Sequence, residues 1–283
     1  MKIDTHVHVH PPEIQADWEK IAVYEPHFAS LCSGRVHRWG TAEDVLARMK
    51  EDSIDVSWIA GFAFRDPGLC RLCNDYVINA VDGSGGRLKG LAVVNPLSRG
   101  FEEEILRCRE AGFIGVGELF PDGQVFDITD MRQTWRLAAQ CHENGMFLLL
   151  HTAEPVGSKY PGKGGSGPKE ASKFCSNHPE VKVVFAHMGG GLWSYETMPE
   201  MKIVLRNAWY DTAAMPFLYG SEVLNAAVAA GAGDKILYGS DFPILDARRY
   251  EELFNAAALS KGQKRSIMGA NALDLLERAN SSL

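Results

Sequence analysis

Eight short apolar runs, each followed by a stretch with helical spacing, recur along the whole 283 residues, and this alternation constrains the fold more than any other feature. The runs are 2–9 (KIDTHVHV), 54–61 (IDVSWIAG), 88–94 (LKGLAVV), 113–119 (FIGVGEL), 146–151 (MFLLLH), 182–187 (KVVFAH), 207–212 (NAWYDT) and 236–241 (ILYGSD). All are far shorter than the ~18 apolar residues of a membrane span and read as buried strands. The stretches between them carry helix start and stop signals. Thr41 with Asp44 ahead of VLARM makes a capping box, and two helical stretches stop at Gly112 and Gly145, where a left-handed residue ends a helix. With no break in composition, the chain is expected to form one domain over 1–283, a (β/α)8 barrel. The structural rival is a doubly wound open sheet, which needs fewer strands and a site at one switch point.

Composition narrows the partners. Hydrophobic residues make up 46% and charged residues 23%, ordinary globular usage. A net charge of -7 disfavours a general nucleic-acid partner or an anionic membrane surface. Strand pattern begins directly after Met1 and Lys2, so no secretory leader is expected. Six cysteines are scattered at 32, 70, 73, 108, 141 and 175. Cys70 and Cys73 form a lone CRLC on a helical stretch, without the second pair or the strand–helix context that zinc or redox chemistry needs. Free thiols are expected, and with them a cytoplasmic location. GSKYPGKG at 157–164 nearly spells a phosphate-binding loop. However, Gly164 replaces the metal-binding hydroxyl and Pro161 removes a cradle N–H, so nucleotide binding is not expected.

Polar residues gather at the strand ends. The stretch DTHVHV places Asp4, His6 and His8 on one face if the strand alternates regularly. Burying two imidazoles and a carboxylate without partners is expensive, so water or a metal ion must satisfy them. Glu118, His151, His187 and Asp241 each stand at or near the last position of a later strand. In a barrel these ends converge on one axis, at the face where active sites lie. A lone histidine at a strand end is more often structural, and so the inference is joint. Imidazole and carboxylate ligands suit Zn²⁺ foremost, with Mn²⁺ or Fe²⁺ as alternatives. Two long loops, 10–40 and 152–168, leave the same face and read as lids or binding loops. His10 continues the alternation of the first strand, but Pro11 and Pro12 end it at once. His142 and His178 sit near helix C-termini and are given no chemistry.

The motifs DTHVHV, LLLHTAEPVG, VVFAHMGGG, ILYGSDFP and IMGANALDLL resemble those of the amidohydrolase superfamily of metal-dependent barrel enzymes, from the first strand to the last helix. The nearest resemblance is to the branch that includes aminocarboxymuconate-semialdehyde decarboxylase and related lactone hydrolases. That resemblance implies that His6, His8, His151 and Asp241 bind one metal, with His187 acting beside it on water or substrate. Glu118 departs from the pattern and resembles the two-metal, TatD-type arrangement, in which His187 is itself a ligand. Equally, Glu118 is an acceptor for a ligand histidine's N–H. The metal count therefore stays open at one or two ions.

The resemblance implies a hydrolase that activates a water to cleave an ester, lactone or amide, with Asp241 moving the proton and His187 orienting the water or steadying an oxyanion. A non-oxidative decarboxylase of an aromatic or muconate-like acid is the runner-up. A TatD-type nuclease or a non-catalytic metal-binding barrel ranks lower, the former for want of a basic stripe. Arg65, Lys159, Tyr160 and Lys163 are candidates for gripping the carboxylate of a small-molecule substrate, and Trp193 for walling its pocket. Solvated loop charge and lid packing are the plainer readings of these residues. Association into a homo-oligomer is left open.

Overall fold

The computed structural model describes residues 1–34, 36–245 and 247–281. Among these, eight parallel strands form one sheet in the order of the chain. They are β1 (Ile3–His8), β2 (Val56–Ala60), β3 (Leu88–Ala92), β4 (Gly115–Leu119), β5 (Phe147–Leu150), β6 (Val183–Phe185), β7 (Ala208–Asp211) and β8 (Ile236–Leu237). Each strand is buried on both faces, which is why its sequence is nearly all apolar. The end of β8 folds back along β1. Thr5 N donates to the Tyr238 carbonyl at 2.8 Å, Asp241 N to that of His6 at 3.0 Å, and His8 N to that of Phe242 at 2.8 Å. These bonds bring the sheet round into the expected (β/α)8 barrel, with helices packed on its outside.

The helix signals read from the sequence have physical counterparts. Thr41 and Asp44 form a reciprocal capping box at the start of Ala42–Glu51. Gly112 and Gly145 take φ of 88° and 61°, closing Phe101–Glu110 and Met131–Glu143. All six cysteines are free, and burial pushes the Cys73 thiol of the CRLC pair up to about 12. No helix among the described residues is long and apolar enough to cross a membrane.

Three expectations change. The last residues expected in the sixth and eighth strands fall outside them, because His187 and Asp241 adopt left-handed backbone at φ 57° and 58°, which breaks the ladder. Asp4 does not share a face with His6 and His8. A register shift between Asp4 and Val7 turns its carboxylate to the Ser240 N–H at 2.9 Å, in a crevice with Val7, Val45 and Arg48. The first insertion is not plain loop: it carries three short helices, Pro12–Ala16, Trp18–Ala22 and Pro26–Cys32.

Glu25, just ahead of the third of these helices, fastens the insertion to the barrel. Its buried carboxylate accepts the Asp66 N–H at 2.8 Å and the Arg65 N–H at 3.1 Å, beyond the end of β2. Glu25→Ala leaves both donors without that acceptor and is expected to cost roughly 1–3 kcal/mol. Thermal unfolding and limited proteolysis within residues 11–40 check this. Unchanged melting and unchanged cleavage would show that Glu25 does not hold the insertion.

Candidate metal centre

The C-terminal ends of five strands deliver six polar side chains to one place. His6 and His8 from β1 have their Nε2 atoms 3.0 Å apart. Asp241 Oδ1 stands 3.8 Å from the first and 3.6 Å from the second. His151, after β5, and His187, after β6, have Nδ1 and Nε2 respectively 3.1 Å apart. Glu118 of β4 lies between the two groups. Its Oε2 is 3.3 Å from both His6 and His8 Nε2, while its Oε1 is 3.0 Å from His151 Nδ1 and 3.5 Å from His187 Nε2. Within each trio, His6–His8–Asp241 and Glu118–His151–His187, one ligand atom per residue lies within 4.8 Å of the others, and either trio could hold a cation.

The outer hydrogen bonds decide what these nitrogens offer. His6 Nδ1 donates to Asp211 Oδ2 at 2.8 Å, His187 Nδ1 to the Ala213 carbonyl at 2.9 Å, and His151 Nε2 to the Lys163 carbonyl at 3.2 Å. Each ring has thus committed its N–H outward, and its other nitrogen turns a lone pair to the centre. Lone pairs facing one another and a buried carboxylate repel unless positive charge lies among them. That donor set, imidazole nitrogens with carboxylate oxygens, fits a divalent transition metal.

The ionisation of the groups points the same way. Burial favours the neutral form of Glu118, yet when the rings take up a second proton the charge on His6 and hydrogen bonds from His151, His187 and His6 outweigh it and hold the carboxyl well below its usual range. Burial likewise opposes charge on His187, but hydrogen bonding and attraction to Glu118, with the charges of Asp241 and Asp211, carry it up to about 9. The pocket therefore recruits positive charge, whether as protons or as a cation. Two of its members, His187 and Asp241, stand in the left-handed region that non-glycine residues rarely occupy. Such strain gathers at functional sites.

Above the centre opens a cavity of about 690 Å³, bordered by His8, Glu118, His151, His187 and Asp241 at its floor. Phe28, Phe62, Phe120, Phe217, Leu218 and Ile244 make its walls largely apolar. Of the residues expected to contact substrate, Tyr160 lines this cavity. Arg65, Lys159, Lys163 and Trp193 are not part of its lining. The Lys163 ammonium bonds instead to the Val156 and Ser158 carbonyls of its own loop. Trp193 packs on the hydrophobic core. Arg65 and Lys159 are exposed, and among the described residues the arginine on the cavity's rim is Arg38.

The profile of the Amidohydrolase family matches residues 3–278. The chain belongs to that family. No curated protein sequence matches it. Among solved structures, 5-carboxyvanillate decarboxylase from Sphingomonas paucimobilis superposes with a TM-score of 0.72 at 15% identity, covering 98% of each chain. A dihydroxybenzoic acid decarboxylase from Polaromonas, holding manganese and 2-nitroresorcinol, gives 0.73 at 18% identity, over 98% of this chain and 96% of that one. A protein from Acinetobacter baumannii assigned as a 2-pyrone-4,6-dicarboxylic acid hydrolase, with citric acid bound, gives 0.66 at 17% identity, over 98% and 99%. At these identities the likeness is one of fold.

Asp211 was missed in the sequence, although it ends β7 as the other polar residues end their strands. It is fully buried, and besides holding His6 it accepts the His187 and Ala213 N–H groups on Oδ1, each at 3.0 Å. One carboxylate thus orients a side chain of one trio and the backbone of the other. Asp211→Asn can keep the backbone bonds but presents an amide N–H to His6 Nδ1, which forces the proton to Nε2 and removes the inward lone pair. Metal retention after dialysis, read by elemental analysis, is expected to fall about 10–100-fold with the circular dichroism unchanged. Undiminished metal content would mean that the His6 tautomer does not matter.

Proposed function

We propose that this amidohydrolase is a metal-dependent hydrolase that activates a water to cleave an ester, lactone or amide in a small, carboxylate-bearing substrate. The observation that carries the reading is Glu118, with one oxygen by His6 and His8 of the first trio and the other by His151 and His187, at the floor of a substrate-sized cavity. Two cations would be held by these residues, His6, His8 and Asp241 on one side and His151 and His187 on the other, with Glu118 within reach of both. Zinc suits the donor set, and manganese or iron are the alternatives. When bound, such a metal lowers the pKa of water towards about 7 and polarises a carbonyl.

The chain's own residues then do the following. Asp241 faces the centre and accepts the proton of the attacking water, passing it to the leaving group. His187 is held at Nδ1 by the Ala213 carbonyl, so its Nε2 lone pair keeps a fixed bearing toward the centre, as a ligand where two cations would be held and as the acceptor for the attacking water's proton where only one would be. The phenyl walls exclude bulk water and strengthen both effects. Free, buried thiols support a reducing, cytoplasmic setting.

Non-oxidative decarboxylation is the second reading. It is favoured by the decarboxylases among the structural relatives and by an aromatic-lined cavity that would receive a benzoate-like ring. Asp241 or His187 would deliver the proton to carbon as the carboxylate leaves.

Elemental analysis of the purified protein, followed by a panel of lactones and aromatic carboxylates with CO₂ trapping, tests both. The expected result is two equivalents of metal, falling in Glu118→Gln, and turnover that chelation abolishes and added metal restores. Asp241→Asn is expected to lower kcat by about 10²–10⁴-fold with the fold intact. Metal-free protein that turns over at the full rate would overturn the proposal, and CO₂ as product would replace the first reading by the second.

A further inference from the structure

Past the end of β1 the cavity has a polar stretch of wall that none of the roles above uses. It is made by His10, just past β1, and His37, at the end of the first insertion. The two segments are tied by the His10 N–H, which donates to the Gly40 carbonyl at 2.8 Å. Both rings pack edge-on against Trp39, at centroid distances of 5.0 Å for His10 and 4.5 Å for His37. His10 is 6% exposed, and its Nδ1 is buried without a hydrogen-bond partner among the described residues. His37 Nε2 is in the same condition.

A sealed N–H without an acceptor costs more than a sealed lone pair. The favoured tautomers therefore place the lone pairs at His10 Nδ1 and His37 Nε2. The N–H groups then fall on the remaining nitrogens, His10 Nε2 and His37 Nδ1, for which no protein acceptor is present among the described residues. Both residues border the cavity, so the wall offers unclaimed N–H donors in a lining that is otherwise mostly apolar. Such donors match an acceptor oxygen brought in by a ligand.

We propose that His10 and His37 form a specificity subsite that receives a second carboxylate of the substrate. The inference rests on reading the cavity as the substrate site. It adds that the preferred substrate is a rigid diacid, read by this pair of imidazoles rather than by the basic residues of the fifth-strand loop.

Calorimetric titration of the metal-loaded protein with benzoate, isophthalate and terephthalate tests it. At least one of the diacids is expected to bind about tenfold or more tightly than benzoate, as a charge-assisted hydrogen bond allows. His10→Phe and His37→Phe are expected to erase that preference, bringing diacid and benzoate affinities together, while leaving metal content as it was. His10→Gln, which restores an N–H, is expected to recover much of it; a residue that merely packed against Trp39 would show the reverse order. The subsite is refuted if neither diacid outbinds benzoate, or if the preference survives both phenylalanine variants. Wild-type protein that retains no metal would overturn the proposed hydrolase instead, and the diacid preference, titrated in that metal-free protein, would still be scored on its own.

Discussion

A buried carboxylate flanked on both sides by imidazole lone pairs is the constraint on which the rest of this structure depends. Glu118 cannot lie buried 3.0–3.5 Å from four histidine nitrogens unless positive charge is supplied there. Protons supply it in part, at the histidines. A divalent ion supplies it without leaving any ring in the wrong protonation state. The barrel's contribution is to make the arrangement rigid before any cation arrives. Asp211, the Ala213 carbonyl and the Lys163 carbonyl each take an outward N–H, so the inward nitrogens have no freedom to turn away.

That rigidity is paid for away from the site. The barrel interior below the centre is filled by large buried side chains such as Trp58 and Phe147, whose rings lie 5.0 Å apart. Close packing there tolerates strain at the opposite rim, where His187 and Asp241 stand in left-handed backbone. Strand ends are where such strain can be stored, since the ladder has already stopped and only loops need to adjust. The same division explains why β6 and β8 are short: their last residues leave the sheet in order to face the centre.

Much of this was legible in the chain. Eight apolar runs with helical spacers specify a parallel barrel, because no other closed arrangement buries both faces of every strand. The strand-end rule then found His6, His8, Glu118, His151, His187 and Asp241, which the fold brings together. It failed where position in a strand was not enough. Asp4 obeys strict alternation on paper, yet a register shift invisible to periodicity turns it outward. Asp211 satisfies the rule and was passed over because NAWYDT reads as an ordinary core strand with a polar end. The basic residues of the loops were the weakest guide: charge in a sequence carries no direction, and Lys163 spends its ammonium on its own loop while its carbonyl holds His151.

The cavity bears on the choice between hydrolysis and decarboxylation through desolvation. Its walls are mostly phenyl and aliphatic, and the protein as a whole is anionic, so an acidic substrate entering it loses water and gains little from long-range attraction. An anionic group can be compensated at the centre, where cations are recruited, or at the rim near His10, His37 and Arg38. A substrate with a scissile carbonyl at the centre must place its carboxylate at the rim, which is the pose for hydrolysis. A substrate with its carboxylate at the centre and a ring against Phe62 and Phe120 adopts the pose for losing CO₂. The two chemistries thus differ in which end of the molecule is neutralised by which end of the cavity, and one set of ligands is compatible with either.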